Sequence, residues 1–109
     1  MKIIVLTSNK YVRCLEPFAK LFNQFWDPTQ DVTVVRYDVP PPILPANFQN
    51  YAVGKQPEYT WSEGLIKFLE AMRQELFLLL LEDYFISELV KVNRIRQLYI
   101  WMKKNPKVV

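Results

Sequence analysis

The feature that most constrains this chain is an unbroken run of leucines, Leu78 to Leu81, that ends on two carboxylates, Glu82 and Asp83. A short segment that is apolar on both faces is typical of a strand in a parallel sheet covered by helices on both sides. The run therefore predicts a central strand. Because ligands of open α/β sheets bind outside the carboxyl ends of the strands, the two acids are well placed to contact a metal ion or a substrate.

The composition fits a single domain with an ample core. The chain has 109 residues, of which 50% are hydrophobic and 15% aromatic, and this length is close to the common domain size. The absence of histidine excludes Ser-His-Asp catalysis, Cys-His catalysis and histidine-ligated metals. Cys14 is the single cysteine, so no internal disulfide can form; this fits a reducing compartment and predicts a buried thiol.

Charge and hydropathy give no indication of a nucleic-acid-binding, a secreted or a membrane-spanning protein. Fourteen basic and eleven acidic residues give a net charge of +3, which is too small to indicate a nucleic-acid-binding protein. The apolar run at the start of the chain is too short for a signal peptide, and no segment approaches the length of a membrane span. We therefore expect a soluble, cytoplasmic protein.

Strand and helix patterns alternate along the chain. Strands are predicted at residues 3–6, 32–37 and 77–81. Helical spacing predicts helices that start near Leu15, near Ser62 and near Leu89, and the last of them stops at Asn105 and Pro106. The stretch from Pro40 to about Tyr59 is predicted to be irregular, with one short edge strand near residues 51–53, and residues 107–109 are predicted to begin another strand. The pattern indicates an α/β fold of three layers, in which helices flank a mostly parallel sheet.

The two acids at the end of the leucine run have two possible roles. Carboxylate oxygens suit Mg²⁺ or Mn²⁺, and such ions commonly bind through one or two carboxylates plus the phosphates of a substrate. In the other interpretation, Asp83 caps the next turn and Glu82 is solvated, as acids in turns often are. Position alone leaves both interpretations open.

Other polar side chains follow the first two strands at the same edge of a parallel sheet. Thr7 and Ser8 follow the first strand and Asp38 follows the second, so together they are candidates to bind a nucleoside. Ser62, next to Trp61, opens a helix whose amides are a candidate phosphate site. Ordinary turn and capping chemistry is the commoner explanation for each of these residues taken singly, and it is their convergence at one edge that favours a binding site.

The end of the chain is basic. The residues after Glu88 include six Lys and Arg residues and no acid, with Tyr99 and Trp101 among them. A nucleic-acid surface would have this composition. The solvated face of an amphipathic helix is the commoner explanation.

Several segments together resemble the N-terminal half of bacterial glycosyltransferase-like proteins of surface and capsular polysaccharide synthesis, which have the GT-A fold. These segments are residues 8–11, 16–18, 61–65 and 78–85, and the most specific is the leucine strand that ends in acids. The resemblance covers the whole chain, but only the front half of such a protein. It implies a single nucleotide-sugar-binding half-domain over residues 1–109, without the acceptor half.

The resemblance also implies a donor site. In GT-A enzymes the corresponding strand ends in an Asp-x-Asp motif that holds Mn²⁺ or Mg²⁺ against the diphosphate of a nucleotide sugar. By position, Asp83 and Glu82 would be the metal ligands, and Thr7 and Asp38 would contact the nucleoside; Tyr84 stands where the motif has its second Asp.

The sequence therefore supports two functional hypotheses. The first is a glycosyltransferase-like domain that binds a nucleotide sugar through a divalent metal and is inactive alone, with no catalytic residue assigned. The second is a non-enzymatic interaction module that keeps the fold without the chemistry. An exposed sheet edge would also favour a homo-oligomer.

Overall fold

The computed structural model describes residues 1–56, 63–72 and 76–108. Four strands, three α-helices and two short 3₁₀ helices make up these parts of the chain. The strands are β1 (Ile3–Leu6), β2 (Val32–Arg36), β3 (Phe48–Ala52) and β4 (Leu78–Leu81). The α-helices are α1 (Leu15–Phe25), α2 (Glu63–Met72) and α3 (Val92–Lys104), and the 3₁₀ helices are Asn9–Cys14 and Pro106–Val108.

The strands form one parallel sheet in the order β3-β2-β1-β4. Strand β1 pairs with β2 on one side and with β4 on the other, so Ile3 lies opposite both Val32 and Leu78. All four residues of β1 are buried. The four-stranded parallel sheet with flanking helices confirms the predicted three-layer α/β fold.

The leucine strand is an edge strand, so the prediction that it is central was wrong. β4 has only β1 as a neighbour among the described residues, and Leu79 is 38% exposed. The central, fully covered strand is β1 instead. Hydropathy reports that a strand has apolar residues on both faces, but it does not report whether a neighbour pairs with each of its two edges.

Each face of the sheet carries its own apolar cluster. On one face, Phe18 and Phe22 of α1 pack with Phe48 of β3, and the rings of Phe22 and Phe48 meet edge to face with centroids 5.6 Å apart. On the other face, Phe68 of α2 packs against Ile4, Leu6 and Val35. The predicted helix start near Leu15 is confirmed. The sheet is thus covered by different helices on its two faces.

The proline-rich stretch contains a longer strand than the sequence predicts. β3 begins at Phe48 rather than near residue 51 and pairs in parallel with β2 along its whole length. Asn47, just before it, donates its side-chain amide to the Gln30 carbonyl oxygen (2.9 Å) and to Asn23 Oδ1 (2.9 Å). These contacts between distant residues fix the start of the strand, and no hydropathy pattern reports them.

Three smaller predictions need correction. The segment predicted to begin a further strand at residue 107 lies instead in the 3₁₀ helix Pro106–Val108. Leu89 precedes α3 rather than belonging to it, and its side chain is exposed. The Cys14 thiol is half-buried rather than buried. Within the described residues, no helix has the length and apolar character needed to cross a membrane.

Candidate functional site

A cavity of about 290 Å³ opens between the carboxyl ends of β1 and β4. The chain leaves β1 to form β2 on one side and returns through α2 to form β4 on the other side. Such a reversal of strand order separates the loops that follow two neighbouring strands and leaves a crevice between them. The lining includes Thr7, Ser8, Lys10, Tyr11, Glu82 and Asp83.

The two acids differ in their surroundings. Glu82 is only 5% exposed, whereas Asp83 is exposed and lies in the turn that the Tyr84 amide closes by donating to the Leu81 carbonyl oxygen (3.2 Å). Burial raises the pKa of the Glu82 carboxyl, and the neighbouring charge of Asp83 raises this pKa further. Hydrogen bonding from the backbone of Glu82 itself and from the backbone of Ser8 acts in the opposite direction on the same pKa. The cavity therefore holds a buried carboxyl whose charged form has a free-energy cost.

Thr7 and Ser8 connect β1 to this carboxyl. The Thr7 amide donates to the Val35 carbonyl oxygen (3.1 Å), which extends the β1–β2 ladder by one residue and fixes the backbone beside Glu82. The Thr7 hydroxyl also lies 3.3 Å from the Ser8 carbonyl oxygen, to which it donates. Ser8 precedes the 3₁₀ helix Asn9–Cys14, but its side chain makes no capping hydrogen bond there. The Ser8 side chain therefore does not cap this 3₁₀ helix, although serine is a residue type that often does.

Asp38 lies at the same edge of the sheet but does not line the cavity. Its Oδ1 accepts a hydrogen bond from Asn9 Nδ2 (2.9 Å), and Asn9 Oδ1 in turn accepts one from the Val39 amide (3.2 Å). The Asn9 hydrogen bond is the main cause that lowers the pKa of Asp38, and the Lys55 charge assists. Asp38 is thus an ionised carboxylate held by Asn9, whose chain neighbours Ser8 and Lys10 line the cavity.

Three residues that contribute to the site are not among those predicted from the sequence. Lys10 and Tyr11 line the cavity, and the Lys10 ammonium lies 5.4 Å from the centre of the Tyr11 ring. Gln56, which follows β3, also lines it, and its Oε1 accepts a hydrogen bond from the Asn9 amide (2.7 Å). The position of Lys10 and Tyr11 directly after Ser8 and Asn9 was a usable signal. Gln56 gave none, because it belongs to a stretch that the sequence predicts as irregular.

The predicted site residues therefore come together in part. Thr7, Ser8, Glu82 and Asp83 line one cavity, and Asp38 is its neighbour through Asn9. Ser62 lies outside the described residues. Among the described residues, no group of three or more His, Cys, Asp or Glu side chains is arranged to hold a metal ion.

Comparison with protein-family models, with curated proteins and with solved structures finds no match for this chain. The resemblance to GT-A proteins accordingly stays a prediction.

Proposed function

We propose that this chain is a glycosyltransferase-like domain that binds a nucleotide sugar in the crevice between β1 and β4. The observation that carries the proposal is the buried Glu82 carboxyl beside Asp83 at the carboxyl end of β4, in one cavity with Thr7 and Ser8, which follow the neighbouring strand β1. Ligands of open α/β sheets bind where the strand order reverses. A cavity with a few polar groups among apolar ones is the usual form of a small-molecule site.

The residues of the cavity fit a divalent cation bound together with phosphates. Burial and the charge of Asp83 both raise the pKa of Glu82, and a cation held by Asp83 and Glu82 would offset both effects. Mg²⁺ and Mn²⁺ often take only one or two protein carboxylates and complete their coordination with phosphate and water oxygens. Two adjacent acids are sufficient for that arrangement. When bound, the ion would neutralise charge on the diphosphate leaving group.

The remaining residues of the edge have complementary roles in this proposal. Lys10 is the cation in the cavity lining, and it would meet a phosphate oxygen. The exposed ring of Tyr11 offers a surface for stacking a base. Asp38 stays ionised because Asn9 donates to it, and its second oxygen can accept a hydrogen bond from a ribose hydroxyl.

Titration calorimetry tests this function directly. UDP, GDP and several nucleotide sugars would be titrated into the protein with Mn²⁺ present and again after chelation. We expect binding that requires the metal and is lost in Asp83→Ala, while the melting curve of the variant shows that it still folds. Asp31→Ala is the matched control. Asp31 is an exposed aspartate just before β2, and it therefore lies at the amino-terminal ends of the strands, whereas the cavity lies at their carboxyl ends.

The alternative is a non-enzymatic interaction module. Absence of binding to every nucleotide and nucleotide sugar, with and without Mn²⁺, would reject the donor-site proposal and favour the module. If Asp83 serves only as a turn residue, Asp83→Ala should lower the free energy of unfolding by about 1 kcal/mol and change no ligand affinity.

A further inference from the structure

Helix α3 is attached to the domain by one face and has no buried residue. Val92, Ile95, Tyr99 and Met102 are half-buried and form the attached face. The Tyr99 hydroxyl donates to the Leu76 carbonyl oxygen (2.7 Å), and the Arg96 guanidinium pairs with Asp27 (3.0 Å). These contacts fix the helix against the amino-terminal ends of β1 and β4, where Tyr99 and Lys103 also share a surface groove with Met1 and Lys2.

The outer face of α3 combines apolar and basic side chains. Leu98 is 56% exposed and Trp101 is 50% exposed. Arg94 lies one turn before Leu98, and Lys104 lies one turn after Trp101, and both are exposed. Residues three and four apart share a helix face. The outer face is therefore a short apolar stripe with a cation at each end.

The charge of the chain is concentrated around this helix. Residues 89–109 hold six of the fourteen Lys and Arg residues and none of the eleven Asp and Glu residues. The preceding residues therefore hold eight basic residues against eleven acidic ones. An asymmetry of this size predicts that the end of the chain which contains α3 meets an anionic partner.

The exposed aliphatic side chains decide between kinds of anionic partner. Single-stranded nucleic acids are bound by aromatic rings that stack on bases and by cations that follow the phosphates. Leu98, which is exposed on the outer face of α3, has no ring to stack on a base and no charge to pair with a phosphate. Helices that lie in a membrane interface instead combine Lys and Arg with Trp, Leu and Phe, because the apolar groups enter the acyl boundary while the cations meet lipid headgroups.

We propose that α3 docks the protein on the surface of an anionic lipid membrane. Leu98 and Trp101 enter the interface, and Arg94 and Lys104 contact lipid phosphates on either side of them. The candidate site lies at the carboxyl ends of the strands and α3 at their amino-terminal ends, so docking leaves the cavity between β1 and β4 open. The proposal stands independently of what that cavity binds.

Vesicle co-sedimentation tests the docking. The protein would be mixed with vesicles of phosphatidylcholine alone and with vesicles of phosphatidylcholine and phosphatidylglycerol in equal parts. We expect binding to the anionic vesicles only, and weaker binding at high salt, because exposed charges are screened. The double variant Leu98→Ser, Trp101→Ser should bind at least about tenfold more weakly, since it removes the apolar part of the interaction.

Matched controls distinguish binding through this surface from non-specific hydrophobic or electrostatic binding by the rest of the protein. Ile43→Ser removes an aliphatic side chain that is 98% exposed far along the chain from α3, and it should bind vesicles like the wild type. Lys104→Glu should weaken binding, whereas Lys20→Glu, at an exposed position of α1, should weaken it much less. Both positions are solvent-facing, so thermal melting should find each variant folded.

Four results would overturn the proposal. The first is absence of binding to anionic vesicles, and the second is an equal loss of binding in the Ile43→Ser control. The third is salt-dependent binding to oligonucleotides in the absence of vesicle binding, which would make α3 a nucleic-acid surface. The fourth is a dimer, detected by sedimentation without lipid, that Leu98→Ser dissociates, because a second copy would then cover this face.

Discussion

Gly64 should be difficult to replace because α2 approaches the sheet closely at that residue. A Cβ atom added to Gly64 would lie 2.6 Å from Val53 Cγ2, 2.8 Å from Tyr37 Cε1 and 2.9 Å from Tyr37 Cζ. The Tyr37 ring is buried and cannot move aside easily, and its hydroxyl accepts a hydrogen bond from the Gly64 amide (3.0 Å). Glycine at this position therefore serves packing rather than backbone conformation.

The expected cost of Gly64→Ala follows from two opposing effects. Forcing a methyl group into a packed contact typically costs about 1–3 kcal/mol. Alanine is favoured over glycine inside a helix by up to about 1 kcal/mol, and by less in the first turn, where Gly64 lies. We expect a net loss of about 1–2 kcal/mol in the free energy of unfolding, which is a large fraction of the stability of a small domain.

Urea denaturation measures this loss as a lower midpoint at an unchanged slope. Val53→Ala offers a matched test, because it removes the methyl group nearest to the new Cβ. The cost of Gly64→Ala should be smaller in the Val53→Ala background than in the wild type, and a double-mutant cycle isolates this difference. Unchanged or increased stability of Gly64→Ala in the wild-type background would refute the reasoning from close packing.

Two further predictions concern Asp38, which follows β2, and Leu79, which lies in the edge strand β4. Asn9→Ala should raise the pKa of Asp38 towards its ordinary value of 3.8, because the main hydrogen bond that lowers it is lost. In the wild type, the lowered pKa of Asp38 stabilises the fold at pH values above 3.8, and this stabilisation is lost as the pH falls through the lowered pKa. NMR titration measures the pKa of Asp38 in both proteins. Identical titration curves would contradict the role given to the Asn9 hydrogen bond. Leu79→Lys should reduce self-association at high concentration, because Leu79 is exposed on the edge strand β4 and a charge there opposes strand pairing. Sedimentation would detect the change, with Ile43→Lys as control, and a wild type that is monomeric at every concentration would contradict it.

The local sequence predicts the elements because their signals are local. The apolar spacing from Leu15 to Phe25 predicts α1, and the short apolar runs at residues 3–6 and 32–37 predict β1 and β2, since each pattern depends only on near neighbours along the chain. The order of a strand in the sheet does not depend on near neighbours. The leucine run and β1 are equally apolar, yet β1 is central and β4 lies at the edge.

The candidate site divides in the same way. The residue types alone indicated that Thr7, Ser8, Glu82 and Asp83 stand at strand ends. Parallel pairing of β1 with β4 then brought them to one cavity. The contacts of Asn9 with Asp38 and with Gln56 could not be predicted, because they join residues 29 and 47 positions apart and no periodicity encodes such contacts.

The sequence by itself determined an α/β chain whose acids follow an apolar strand, because hydrophobic periodicity and turn chemistry act over a few residues. Tertiary structure alone decided that Glu82 is buried while its neighbour Asp83 is exposed, because burial of a side chain depends on which strand lies alongside. It also decided that α3 keeps its apolar Leu98 and Trp101 outside. The half-buried face of the helix holds only some of its apolar residues, and Leu98 and Trp101 lie outside that face and are exposed.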